Sequence, residues 1–458
     1  MAEETPTRFS IQDPVLGGID GERIGQPSAS DLNKAIGDPI EALSDASTYQ
    51  FFNENNLLTP FDASSMGAHN GVALYRLTYT TKIPGSGREE TVSGLLAIPQ
   101  LDPARALPMV SWQHGTLFEP VEAPSCIYRD QALNRSPAGL PRSIETLCNV
   151  VALAGNGYIV AAADYIGNGL SKPRQAYARK DITVQTIRDM LTASEAVLKH
   201  LNRRRSRELF LHGWSQGGLN TLWLAYALQS DPHWTPTRVS TVSAPSNLPR
   251  VCRYWLNNFG GDPTWVTPVV SILFGAYETY GGIENLISQA IQEQYQECCR
   301  AIYAKQYNWN LVNWMHSHPI RFPQDSTKPG IRLPVKGRDM IKTEFLDAYN
   351  QDTGEFYAQI SDNTALQGPF TMPCRFYGGL SDTVVPPWSS ITCLEEQQRL
   401  HGQPLGSGIL VDQRIPLTAA RVGKAGATHR STFLASLFDP GLNVRRWFDE
   451  ALDRSASA

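Results

Sequence analysis

The hydrophobic pattern of this chain changes period several times, and the changes divide it. Val72 to Thr80 alternates apolar and polar positions and is rich in β-branched and aromatic types, which predicts a strand. Pro84 to Arg88 is a glycine- and proline-marked turn, and Thr91 to Ile98 returns as a second strand, giving an antiparallel hairpin. From Leu107 onward the rhythm is different. Short unbroken apolar runs alternate with helically spaced ones: Leu107–Gln113 strand, Ile144–Ala154 helix stopped at Gly155 and Gly157, Tyr158–Ala163 strand, Ile182–Leu201 helix. Glu208–His212, Leu219–Leu228 and Val239–Ser243 continue the series as strand, helix, strand. Unbroken apolar runs are what strands buried on both faces require, and their alternation with helices predicts a parallel sheet with helices on both sides.

Between about Asn247 and Gly368 that alternation stops. The stretch carries Trp255, Trp265, Trp309 and Trp314, with helical runs at Val269–Phe274 and Ile283–Tyr303, and reads as a helical insertion capping the sheet. Sheet rhythm resumes at Cys374–Gly378, and a last strand is expected between Gly408 and Val422. Ser431–Leu452 closes the chain as an amphipathic helix interrupted at Pro440 and Gly441. The first 30 or so residues show no periodicity and read as a surface arm, with a weak helix signal at Pro39–Leu43. The expected division is an N-terminal arm at 1–65, a core at 66–246, a cap at 247–370 and the rest of the core at 371–458.

Composition narrows the classes. The chain has 458 residues, 41% hydrophobic and 18% charged, enough for a large globular core. A net charge of −4 with no basic stripe argues against nucleic acid, and Arg203 to Arg205 reads as a solvated helix end. No apolar run is long enough to span a membrane. Of seven cysteines none forms a Cys-x-x-Cys pair, so no metal site is expected. Cys126 with Cys148, and Cys374 with Cys393, are spaced so that a bridge is open to each pair. The N-terminus is acidic and polar, unlike a signal peptide. A secreted or periplasmic protein whose leader has been removed is the expectation, with a cytoplasmic one the alternative.

Gly213-Trp214-Ser215-Gln216-Gly217 is the stretch that carries chemistry. It joins an apolar strand to a helix, the context in which a Gly-x-Ser-x-Gly turn exposes a nucleophilic serine. An ordinary glycine-rich turn has the same letters, so the rest of a catalytic set is needed. A serine hydroxyl needs a histidine base, and the base needs a carboxylate to fix its tautomer. Downstream, Asp382 stands at the tip of a turn after the strand resuming at Cys374, whereas Asp362, Asp412 and Asp439 lack that context. A capping aspartate is the bland reading. Only His401 and His429 follow it; His429, in a glycine-rich loop ahead of the last helix, fits the base better than His401 in its polar run. Gln216 N–H at the helix start is one oxyanion donor, and Thr116 N–H, after Gly115, is the expected second. Trp214 and Gly115 are read as substrate-binding residues. His114 and His212 read as structural, and Asp164 as a residue that fixes loops beside the site.

With these residues in hand the chain resembles the α/β-hydrolases from about residue 70 to 455. It is most similar to their capped secretory-lipase, Candida lipase A-like, group. The shared features are the first strand Tyr75-Arg76, the Pro99-ended second strand, the Asp164-Tyr165 loop and the cap between the Ser215 and Asp382 strands. The resemblance implies an α/β-hydrolase fold with a helical cap, ester hydrolysis through an acyl-enzyme, no cofactor, and a small-molecule or polymer ester as substrate. His114-Gly115-Thr116 departs from the group and is more typical of esterases and peptidases of this fold, so a serine peptidase is the alternative. A silent binding module on the same fold is the third reading, against which the complete Ser-Asp-His set argues.

Overall fold

The computed structural model describes residues 7–43, 66–129, 132–133, 143–257, 263–307, 332–334, 336–365, 368–379, 382–389, 399, 429–439 and 441–456. Nine strands among these form one sheet: β1 (Arg8–Asp13), β2 (Gly17–Gly25), β3 (Val72–Lys82), β4 (Glu89–Pro99), β5 (Ala106–Gln113), β6 (Ile159–Ala163), β7 (Arg204–Trp214), β8 (Arg238–Val242) and β9 (Cys374–Tyr377). Their order is β1-β2-β3-β4-β6-β5-β7-β8-β9. β6, β5, β7, β8 and β9 run parallel, and β1 to β4 run antiparallel. The hairpin β3–β4 is paired in unbroken register from Val72 opposite Pro99 to Lys82 opposite Glu89.

The parallel strands are buried on both faces, and their residues divide by the period of two. Met109, Leu209, Leu211 and Val239 face one apolar cluster, with helices α3 (Lys180–His200) and α4 (Gln216–Leu228). Val110, Trp112, Phe210 and Val242 face the other, with α1 (Ala29–Leu43), α2 (Ile144–Ala152), α11 (His429–Phe438) and α12 (Val444–Ala456). This is the three-layer arrangement the apolar runs predict.

Between β8 and β9 lie six helices among the described residues: α5 (Leu248–Asn257), α6 (Pro263–Tyr280), α7 (Leu286–Ala290), α8 (Glu293–Tyr303), α9 (Thr343–Asn350) and α10 (Glu355–Asp362). They share the first cluster with the sheet. Side-chain bonds tie them down: Tyr277 donates to Ala178 O at 2.9 Å, and Trp255 Nε1 donates to Val384 O at 2.7 Å. From the core, Trp223 Nε1 reaches Asn363 O at 3.0 Å.

The reading of the N-terminal segment needs correction. Residues 8–25, expected as part of a surface arm, add β1 and β2 to the sheet edge. Their signal is weak because β1 sends only Phe9 and Ile11 toward the core, and β2 is rich in glycine and charge. Cys126 and Cys148 are not joined in a disulfide; Cys148 lies buried in α2. The strand expected between Gly408 and Val422, and with it Trp309, Trp314, Cys393, His401 and Asp412, falls outside the described residues. Among the described residues no helix is long and apolar enough to cross a membrane, and no cluster of His, Cys, Asp and Glu has the makings of a metal site.

Candidate active site

Ser215 sits between the last residue of β7 and the first of α4, with φ 58° and ψ −123°. A residue with a Cβ rarely adopts such a backbone; the strain is on the order of 1–3 kcal/mol and has to be imposed by the surroundings. Two backbone bonds impose it. Ser215 N–H donates to Val242 O at 2.9 Å, and Ser215 O accepts from Leu219 N–H at 3.2 Å. The flanking glycines make the turn sterically feasible. A Cβ on Gly217 would lie 1.9 Å from Gln113 O, and one on Gly213 would lie 2.3 Å from Gly217 O. Nothing but hydrogen fits where β7, α4 and the end of β5 meet.

Asp382 and His429 come together across the sheet's carboxyl edge. His429, the first residue of α11, places Nδ1 2.7 Å from Asp382 Oδ2. The other carboxylate oxygen, Oδ1, accepts from the N–H groups of Val384 and Val385, both at 2.9 Å. Asp382 is therefore fixed by its own turn and has one oxygen left to orient the imidazole. Both residues are buried. Trp214 secures His429 from the strand side: the two rings lie 4.9 Å apart, and Trp214 Nε1 donates to His429 O at 3.2 Å. Trp214, expected to bind substrate, holds the histidine next to the Ser215 turn. Asp439, a rival carboxylate in the sequence, accepts from Gly441 N–H at 2.6 Å and closes the end of α11. Asp362 ends α10, where its carbonyl accepts from Lys180 Nζ.

The loop leaving β5 is held by several hydrogen bonds. Tyr165 donates to His114 O at 3.3 Å, and Thr116 Oγ1 shares a hydrogen bond with Tyr177 Oη at 2.9 Å. Gly115 O lies 2.7 Å from His114 Nδ1, and Gly115 N–H donates to Glu145 Oε2 at 2.8 Å. The His114 ring is buried and stacks on Tyr165 at 4.0 Å; burial pushes its pKa down to about 4, which keeps it neutral. His212 is wholly buried on β7, with its pKa pushed down to about 3 by the same cause. Asp164 accepts from Ser93 Oγ at 2.6 Å and Ser125 N–H at 2.9 Å, so it ties three segments beside the site.

Next to this loop is a cavity of about 130 Å³. Leu117, Phe118, Trp214, Phe433 and Leu434 make it mostly apolar, and Glu145 and Arg430 bring charge-bearing groups to its wall. Sequence reasoning missed Glu145, Tyr165 and Tyr177 as partners of the site. Glu145 carries the signature of any acid in the first turn of a helix, and the tyrosines reach the loop from 51 and 61 residues away.

Solved structures match this architecture closely. A hydrolase from Legionella pneumophila has 17% identity and a TM-score of 0.69, covering 92% of this chain and 95% of its own. The rice cell wall degrading esterase LipA from Xanthomonas oryzae has 19% identity and a TM-score of 0.66, covering 95% and 97%. The chain has the α/β-hydrolase fold. Candida antarctica lipase A in its closed state shares that fold at 18% identity and a TM-score of 0.54, over 79% of this chain and 73% of the lipase. The profile of the prolyl oligopeptidase family matches residues 145–232, the part of the α/β-hydrolase fold that holds the Ser215 turn. No curated protein sequence matches the chain.

Proposed function

We propose that this protein is a serine hydrolase that cleaves carboxylic esters through an acyl-enzyme. The observation that carries the reading is the 2.7 Å His429–Asp382 bond beside a serine held at positive φ at a strand end. In this reading Ser215 Oγ attacks the ester carbonyl while His429 Nε2 takes its proton. Asp382 keeps the proton of the neutral imidazole on Nδ1 and stabilises the cation that forms. The Gln216 and Thr116 amides receive the oxyanion, His429 returns a proton to the leaving alcohol, and water repeats the cycle on the acyl-enzyme. No cofactor enters.

The cavity suits a short acyl or aryl group. An apolar cavity of about 150 Å³ takes up benzene, and this one is of similar size. Trp214 borders it, which supports its reading as a substrate-binding residue, and Gly115 lies between the lining residues His114 and Thr116. Residues 247–370 act as the cap over the bound ester, and 66–246 with 371–458 as the hydrolase core. The esterase and lipase among the similar folds support ester chemistry. The prolyl oligopeptidase match favours a peptidase as the second reading, since the same machinery cleaves amides.

A p-nitrophenyl ester series from acetate to palmitate, run beside aminoacyl p-nitroanilides, tests both. Turnover highest on short or aromatic acyl esters is expected. Cleavage of the anilides without the esters overturns the ester reading in favour of the peptidase.

A further inference from the structure

Two carboxyls touch the backbone of the loop after β5: Glu122 accepts from Phe118 and Glu119 N–H farther along it, and Glu145 reaches Gly115, next to Thr116. Glu145 Oε2 accepts from Gly115 N–H, and a Cβ built on Gly115 would lie 3.1 and 3.2 Å from the two Glu145 oxygens. The carboxyl therefore packs closely against Gly115, and a side chain at that position would push it back by a few tenths of an ångström. From the other side His114 Nδ1 contacts Gly115 O, so Gly115 is gripped at both its N–H and its carbonyl, and that carbonyl shares a peptide plane with Thr116 N–H. The next amide in the chain is that of Thr116. Glu145 is half-buried, and its open surface lines the cavity.

We propose that Glu145 is a positioning residue for the hydrolytic step, its carboxyl fastening Gly115 so that the Thr116 amide stays aimed at the oxyanion. The inference rests on the reading of Thr116 as an oxyanion donor. It goes beyond the Ser215, His429 and Asp382 set because Glu145 acts on the loop and not on the reacting atoms.

The charge state matters. Either form of the carboxyl accepts the Gly115 N–H, but an ionised Glu145 one peptide away from a developing oxyanion repels it. The groups that face Glu145 are Glu122 from the segment before α2, Cys148 on the next turn of α2, Arg430 from α11, Tyr165 from the loop after β6, and His114 on the loop itself; burial holds Cys148 and Tyr165 in their neutral forms. Burial pushes the Glu145 carboxyl up to about 8, Glu122 adds to the rise, and the Gly115 bond and Arg430 oppose it. The neutral acid is then the working form at neutral pH, and its effect is lost as pH rises through about 8.

The test uses a fluorophosphonate, which labels an activated serine in the presence of a working oxyanion hole whatever the natural substrate. Labelling rate against pH is measured for wild type, Glu145→Gln and Glu145→Ala, each first checked for a native circular-dichroism spectrum, with kcat and KM on p-nitrophenyl butyrate in parallel. Glutamine mimics the neutral acid: it accepts the Gly115 N–H and cannot ionise. The expected result is a wild-type rate that falls above about pH 8. Glu145→Gln should keep the neutral-pH rate within about threefold and lose that fall. Glu145→Ala should be slower on the order of 10–100-fold, in kcat and not in KM. An alkaline fall unchanged in Glu145→Gln overturns the inference, as does a folded Glu145→Ala that labels at the wild-type rate. Labelling without ester turnover overturns the ester reading alone and leaves the role of Glu145 supported. A wild type that does not label at all overturns the nucleophile reading and this inference with it.

Discussion

The two halves of the candidate site are built in different ways. The Ser215 half is fixed by backbone: the φ of 58°, the bond from Ser215 N–H to Val242 O, and three glycines packed where no Cβ fits. The Asp382 and His429 half is fixed by side chains that meet from segments 47 residues apart. Backbone sterics constrain residue type at adjacent positions, so they leave a compact motif. A side-chain pair constrains two distant positions and leaves only their chemistry and order as a trace. The comparison implies that substitution of the glycines in the first half fails by misfolding, and substitution in the second by losing activity while the fold survives.

The largest expected effect tests function on the first half. Ser215→Ala should lower kcat on esters on the order of 10⁵–10⁶-fold with the fold intact, since it removes the proposed nucleophile and relieves no packing. Asp382→Asn should lower kcat on the order of 10⁴-fold, measured with the same ester, and leave the thermal midpoint within a few degrees. A comparable loss of stability in Asp382→Asn would break the contrast, because it would make the second half structural too.

Stability gives the reciprocal test. Gly217→Ala forces a Cβ to within 1.9 Å of Gln113 O, a backbone atom that cannot swing away. It should cost about 3 kcal/mol or more in urea unfolding. Gly218→Ala meets Ala244 Cβ at 2.9 Å and should cost about 1–2 kcal/mol. The reverse order would contradict the packing account of the turn.

The smallest effect is a pH slope. In the folded protein Glu145 holds its proton up to about 8, while an unfolded chain releases it in the ordinary carboxyl range near 4.5. Between those values the folded state binds more protons, so this group makes stability fall as pH rises, by at most about 1.4 kcal/mol per unit. Glu145→Gln removes that contribution. The variant's stability relative to wild type should therefore be greater at pH 7 than at pH 5, read from paired urea titrations.

How much of this was legible in the sequence follows the same division. The parallel strands could be read because burial on both faces demands unbroken apolar runs, as in Tyr158–Ala163 and Glu208–His212. The Ser215 turn could be read because its glycines are sterically required. Asp382 and His429 could be named from chain order and local turn chemistry, and the structure brings them to hydrogen-bond distance. β1 and β2 could not be read, because an edge hairpin with two half-buried apolar residues on one strand has little periodicity to show. Glu145 could not be read either. Its role depends on a backbone N–H 30 residues upstream, and nothing about the first turn of α2 announces that contact.

The most direct test of the central claim is to trap the acyl-enzyme. A p-nitrophenyl ester with a slowly released acyl group is mixed with the protein, quenched in acid during the burst, and the peptides are read by mass spectrometry. The account predicts one added acyl group, on the peptide containing Ser215, and none in Ser215→Ala. Ester turnover with no acyl adduct, or with the adduct on another residue, would contradict it.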